Sequence, residues 1–227
     1  MNTSPRTRVA ALGLVVGALL FTTGDLLRRI VEPSGPASTT AITDAVDHHA
    51  LAWSLGGLVS VAAAFCLVPG ILGLLDTARG RGARVTTVGA LLVGVGAIAS
   101  VGHAVAFYSP YALYGLARTP GSQQDALDRA SESYPMLALL IVLFIVGMVI
   151  GPVVLFVGLR RAGRVPIWAV VAAIVFVVTG STNGVAAGGV GVLAALAAFV
   201  PAARSLTAPS GEAGEDAVVA APVGQVV

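Results

Sequence analysis

Lysine is missing from this chain. All 13 of its basic residues are arginine, so it can form no Schiff base with retinal or pyridoxal and has no P-loop lysine. Cysteine is almost as scarce. The single Cys66 lies inside an apolar run, which excludes an intrachain disulfide and a thiolate metal cluster. Three histidines allow at most one histidine-based metal site. Charge of either sign is sparse, at 11% of 227 residues, against about 25% in a soluble domain. That is too little for a surface facing water on all sides, and no nucleic-acid partner is expected.

Long apolar runs take the place of the missing charge. The clearest is Arg84 to Phe107, RVTTVGALLVGVGAIASVGHAVAF, where 18 residues separate Arg84 from the next ionisable side chain, His103. As a helix that run is roughly 27 Å long, close to the hydrocarbon thickness of a bilayer. Similar runs recur, and the fold class they predict is an all-α membrane protein of six spans arranged as three helical hairpins.

Residues 1–8 form a polar lead with Arg6 and Arg8, followed by a first span over 9–31. A signal peptide would show a small-residue cleavage pattern, whereas this run closes in FTTGDLL, so an uncleaved helix is expected. Pro33 and Pro36 break it, and Thr39, Thr40 and Thr43 are candidate N-caps for a helix starting at headgroup level. Span two covers 49–75, with a kink expected at Pro69. Span three covers 85–108. In the polar stretch after it, PYALYGLA reads as an interfacial turn of helix, and Ser122 with Asp125 as a capping-box-like start. The remaining spans are 135–159, 165–180 and 185–203, the last two joined by a tight Asn-Gly turn. The acidic, aperiodic tail over 204–227 is expected to be disordered.

The arginines set the orientation. Arg6, Arg8, Arg79, Arg81, Arg84, Arg160, Arg161, Arg164 and Arg204 fall on one side, and Arg28, Arg29, Arg118 and Arg129 on the other. The positive-inside rule then places both termini in the cytoplasm and the chain in the cell membrane. Trp53, Tyr108, Tyr111 and Tyr134 are expected at the outer interface and Trp168 at the inner one. Each outward span also begins Arg-Val (Arg8-Val9, Arg84-Val85, Arg164-Val165), and each returning span carries one proline, Pro69, Pro152 or Pro201. That pattern suggests a repeated hairpin.

The candidate chemistry lies in one polar layer. Helical rise from the inner arginines puts Asp25 at roughly 26 Å and His103 at roughly 29 Å, with Asn183 at a similar level. His103 shares a helical face with Gly96, Ser100 and Phe107, and so points into the bundle. Asp25, His103, Ser100 and Asn183 are therefore the ligand or proton-relay candidates, with Asp25 beside His103 as the pair of interest. The competing reading of Asp25 is an ion pair with Arg28 or Arg29 one turn along its own helix.

A non-enzymatic bundle without a cofactor is the favoured class: an accessory subunit, a small-solute carrier or a lipid-interacting scaffold. Its partners would be membrane lipids, other membrane subunits or a second copy of itself. Two alternatives use the histidines. An outward-facing metal hydrolase would draw ligands from Asp25, His48, His49 and His103, and a b-type haem protein would use His49 and His103 as axial ligands. Both require span two to sink its histidines by about 10 Å. The segments CLVPGILGLL and GHAVAFY, with the general layout, resemble uncharacterised multi-pass membrane proteins of GC-rich bacteria. The resemblance implies a fold and a location, and brings no catalytic residues with it.

Overall fold

The structure is a computed structural model that describes residues 4–33 and 38–208; the tail beyond Ala208 and the loop over 34–37 lie outside the described residues. Apolar runs rich in Ala, Leu, Val and Gly satisfy their backbone hydrogen bonds internally as helix, the arrangement lipid requires. Every regular element among the described residues is helical: α1 Pro5–Val31, α2 Thr39–His48, α3 Ala50–Thr77, α4 Ala83–Leu116, α5 Gly121–Glu132, α6 Pro135–Ile145, a π-helical turn Val146–Ile150, α7 Gly151–Arg161, α8 Ile167–Gly180 and α9 Val185–Thr207.

Five of these rods are long and apolar enough to cross a membrane: α1, α3, α4, the continuous α6–π–α7 rod and α9. The sixth apolar segment, α8, has only 14 residues, roughly 21 Å. It starts at Ile167 rather than Val165 because Pro166 stands in extended conformation before its first turn. The large apolar side chains facing outward, among them Leu58, Leu91, Leu139 and Leu193, make a surface that suits lipid and not water.

The rods close into a ring in chain order. α1 packs on α3, α3 on α4, α4 on α6 and α7, α7 on α8, α8 on α9, and α9 back on α1. One end of the ring gathers Arg8, Arg81, Arg84, Arg161, Arg164 and Arg204, and is called here the arginine-rich end. The opposite, far end carries α2, α5 and the α8–α9 turn.

Glycine decides how close the rods come. A Cβ on Gly147 would lie 2.3 Å from Gly96 Cα, and one on Gly17 would lie 2.6 Å from Leu67 Cγ. These contacts hold α4 against the α6–π–α7 rod and α1 against α3 by dispersion across touching backbones. Toward the arginine-rich end the interior is full: Leu14, Leu74, Leu155, Phe156 and Leu159 are all completely buried. Arg164 closes that end by donating from Nη1 to Thr77 Oγ1 at 2.7 Å and from Nη2 to the Thr77 carbonyl, so it caps α3 from another element. Partial burial lowers the Arg164 pKa from its ordinary value.

Several local expectations need correction. Ser38, not Thr39, Thr40 or Thr43, caps α2, accepting from Ala41 N at 3.3 Å. Thr39 and Thr43 instead tie α2 to α5, donating to Asp128 Oδ2 at 3.1 Å and Gln124 Oε1 at 2.9 Å. Ser122 does not cap α5, which begins at Gly121 after Pro120 with no side-chain cap. PYALYGLA is the end of α4, which runs unbroken past Pro110. Trp53, expected at the outer interface, is buried inside the bundle: it is 1% exposed, donates to the Tyr108 carbonyl at 2.8 Å and packs among Phe107, Tyr108 and Tyr111. Tyr134 and Trp168 are exposed. The three prolines of the suggested repeat have no common local geometry, since Pro69 and Pro201 sit within α-helices and Pro152 follows the π-helical turn.

Candidate functional site

The far half of the ring is not filled. A cavity of about 310 Å³ opens there, with walls contributed by all six rods. Its polar side is made by Asp25 and Arg28 of α1, Ser60 of α3, and Ser100, His103 and Tyr108 of α4. Its apolar side is made by Phe21, Phe144, Met148, Val149 and Phe176.

Asp25 is committed to its own helix. Its Oδ1 accepts from Arg28 Nε and Nη2 at 3.1 and 3.0 Å, and its Oδ2 accepts from Arg29 Nε at 2.7 Å. The i+3 and i+4 spacing puts both guanidinium groups on the face of the carboxylate. The two arginines then diverge. Arg29 is buried to 1% exposure and crosses to the C-terminal end of α8. Its Nη2 donates to the carbonyls of Thr179 at 2.9 Å and Gly180 at 3.4 Å. Its Nη1 donates to the carbonyls of Thr182 and, at 3.3 Å, Gly184. A cation at a helix C-terminus meets the negative end of the dipole and satisfies carbonyls left without intrahelical partners. The last turn of α8 carries no basic residue of its own, so α1 supplies it.

Arg28 stays on the cavity wall. Its Nη1 is 3.9 Å from Glu32 Oε2, a loose ion pair. The Arg28 side chain is 21% exposed and that of Asp25 29%, so water reaches both from the cavity.

His103 does not meet Asp25 directly. Its ring stacks on Phe144 at 4.4 Å with a 17° interplanar angle, and more loosely on Phe107 at 6.1 Å. It faces the same cavity as Asp25 and Arg28. The hydroxyls around it are turned inward. Thr22, Ser60, Ser100 and Thr179 each donate to a carbonyl of their own helix, and Tyr108 Oη donates to the Gly24 carbonyl at 3.2 Å. The donors left for a guest are therefore those of the Arg28 guanidinium and the His103 ring.

Of the residues singled out from sequence, Asp25, His103 and Ser100 line one cavity. Asn183 lies exposed in the α8–α9 turn, where its neighbours offer their carbonyls to Arg29. His48 ends α2, its Nδ1 2.7 Å from the Asp44 carbonyl, and His49 follows it; both are exposed and neither reaches the cavity. Among the described residues no group of three or more His, Cys, Asp or Glu side chains could hold a metal ion. The donor sets of the hydrolase and haem alternatives are thus dispersed, and no step is derived through either.

Sequence reasoning missed the reach of Arg29 to α8, the aromatic wall of Phe21, Phe144 and Phe176, and the π-helical turn beside it. The signal for Arg29 was present in part: a pair of arginines where only one is needed to neutralise Asp25. No family model, no curated protein and no solved structure matches this chain.

Proposed function

We propose that the protein is an integral membrane bundle of six crossings, both termini cytoplasmic, which binds a small acceptor-bearing ligand in its outward-facing cavity without transforming it. The observation that carries this reading is the cavity shared by all six rods, in which Arg28 and His103 hold the unspent donors. A guest with an anionic or carbonyl oxygen would accept from both. Binding without chemistry is supported by the inward-turned hydroxyls: each donates to a backbone carbonyl, and no hydrogen bond to His103 activates one as a nucleophile. α8 completes the six crossings if the bilayer thins at its 14 residues. The arginine asymmetry supports the orientation.

Two measurements test the reading. In a Cys66→Ser background, Ser133→Cys should react with a membrane-impermeant thiol reagent on intact cells and Ala208→Cys should not; the reverse pattern contradicts the orientation. Butyrate added to the purified protein should shift the imidazole resonances of His103 but not those of His48 and His49. Equal shifts at all three histidines, or none, would contradict binding in the cavity.

A further inference from the structure

One side of the cavity wall is sparsely packed. The α6–π–α7 rod packs against α8 mainly through α7. Above the π-helical turn α6 makes few contacts with α8, and none of its residues is buried. Pro152 accounts for the break. It has no N–H to offer the fourth carbonyl before it, and its ring crowds that carbonyl, so the preceding turn widens to π spacing over Val146–Ile150. The upper half of the rod then leans chiefly on α4, through Leu140 over Gly102 and Phe144 over His103, with Phe144 also 6.2 Å from Phe21 of α1.

The two banks of this gap both line the cavity: Phe144, Met148 and Val149 on one side, Phe176, Val177 and Gly180 on the other. Val142 and Ile145 of α6 and Val178 of α8, on the two helices that flank the seam, are exposed. The polar groups lie at its inner end. An opening with apolar banks that leads sideways from lipid to a guanidinium and an imidazole matches a molecule with a compact head and an oily tail.

From this we infer that the occupant of the cavity is a single-chain acyl amphiphile with a compact anionic headgroup, carboxylate or phosphate, that enters sideways between α6 and α8. The inference rests on the proposed ligand-binding reading and names its ligand class. The headgroup accepts from Arg28 and His103, and the first part of the chain lies on Phe144, Met148 and Phe176. The remainder of the chain passes through the seam into the outer leaflet. The volume of about 310 Å³ is at the lower limit for small-molecule pockets, which run from about 300 to 1,000 Å³. It holds a head and a few carbons, which is why the chain must leave by the seam.

The test is photo-crosslinking of the full chain in maltoside micelles with palmitate carrying a mid-chain diazirine. Adducts are expected on 144–149 and 176–181, enriched about tenfold over the outward-facing Leu58, Leu91 and Leu193; that ratio is the worth of one charge-assisted hydrogen bond. Arg28→Gln should abolish the enrichment and Arg28→Lys should keep most of it. Val149→Trp, which obstructs the seam without touching the Asp25 pairs, should remove adducts from 176–181 and so gives a second variant should Arg28→Gln misfold. Competition by unlabelled palmitate or by hexadecyl phosphate decides between the two headgroups, and displacement by either supports the proposal. Uniform labelling of the lipid-facing surface, or enrichment indifferent to both Arg28→Gln and Val149→Trp, overturns it. If labelling is uniform while butyrate still shifts His103, only the acyl reading and its seam fall. If butyrate has no effect either, the ligand-binding reading falls with them.

Discussion

At each end of the ring an arginine reaches across to cap the C-terminus of a helix it does not belong to, yet one end is shut and the other open. At the arginine-rich end, Arg164 holds Thr77 at the end of α3, and the side chains behind it, Leu74, Leu155 and Leu159, are completely buried. At the far end, Arg29 holds the end of α8, and a cavity lies directly below. The difference comes from the α6–π–α7 rod. Below the π-helical turn its glycines press on α4 and α7 packs on α8; above it, the rod makes few contacts with α8. A capping arginine therefore fixes a helix end without deciding whether the interior beneath it is filled.

The contrast is most easily broken at the crossings. Gly158→Val places methyl groups where an added Cβ already lies 2.4 Å from Thr86 N, and overpacking of this kind costs about 1–3 kcal/mol or more. It should abolish a folded, monodisperse peak in detergent. Gly180→Ala is the matched control at the open end: an added Cβ there meets nothing within 4 Å. It should shift stability by no more than about 0.5 kcal/mol. Equal behaviour of the two variants would mean that the ends are packed alike.

The next largest effect concerns the two caps. Asp25→Ala removes the carboxylate partner of a buried guanidinium, a loss of about 3 kcal/mol that thermal unfolding in maltoside would register. Arg164→Gln removes a cap from a more accessible site and should cost only about 1 kcal/mol. If Arg164→Gln proves the more damaging, the far end is not where the chain has concentrated its buried charge. A smaller effect is expected from Trp53→Phe. It keeps the aromatic packing over Tyr108 but drops the hydrogen bond to the Tyr108 carbonyl, at about 1 kcal/mol.

Much of this was readable from the chain, and for local reasons. The apolar runs and their arginine flanks marked each rod. Asp25, Arg28 and Arg29 sit at spacings that make their pairing a property of one helix. His103 could be aimed inward because Gly96 and Ser100 share its face, and both are buried. The unread parts depend on distance along the chain. Arg29 meets carbonyls about 150 residues away, and nothing in either segment names the other. Asp25 and His103 were read as a pair from equal depth; depth brought them to one cavity, but the two arginines, nearer on the same helix, hold the carboxylate. Pro69, Pro152 and Pro201 look alike in sequence, and only packing shows that Pro152 alone accompanies a widened turn. The late start of α8 at Ile167 follows from Pro166, which is visible in the sequence but falls inside the expected span.

The claim on which everything turns is that the far end is an accessible, anion-attracting cavity while the arginine-rich end is closed. In a Cys66→Ser background, reaction rates of Ser60→Cys and Thr86→Cys with small anionic and cationic methanethiosulfonates test it directly. Ser60 lines the cavity and Thr86 is 1% exposed at the closed end. The anionic reagent should modify Ser60→Cys at least about tenfold faster than the cationic one, should lose that preference with Arg28→Gln, and should leave Thr86→Cys untouched. Equal rates at the two sites, or a preference for the cationic reagent in the cavity, would contradict the account.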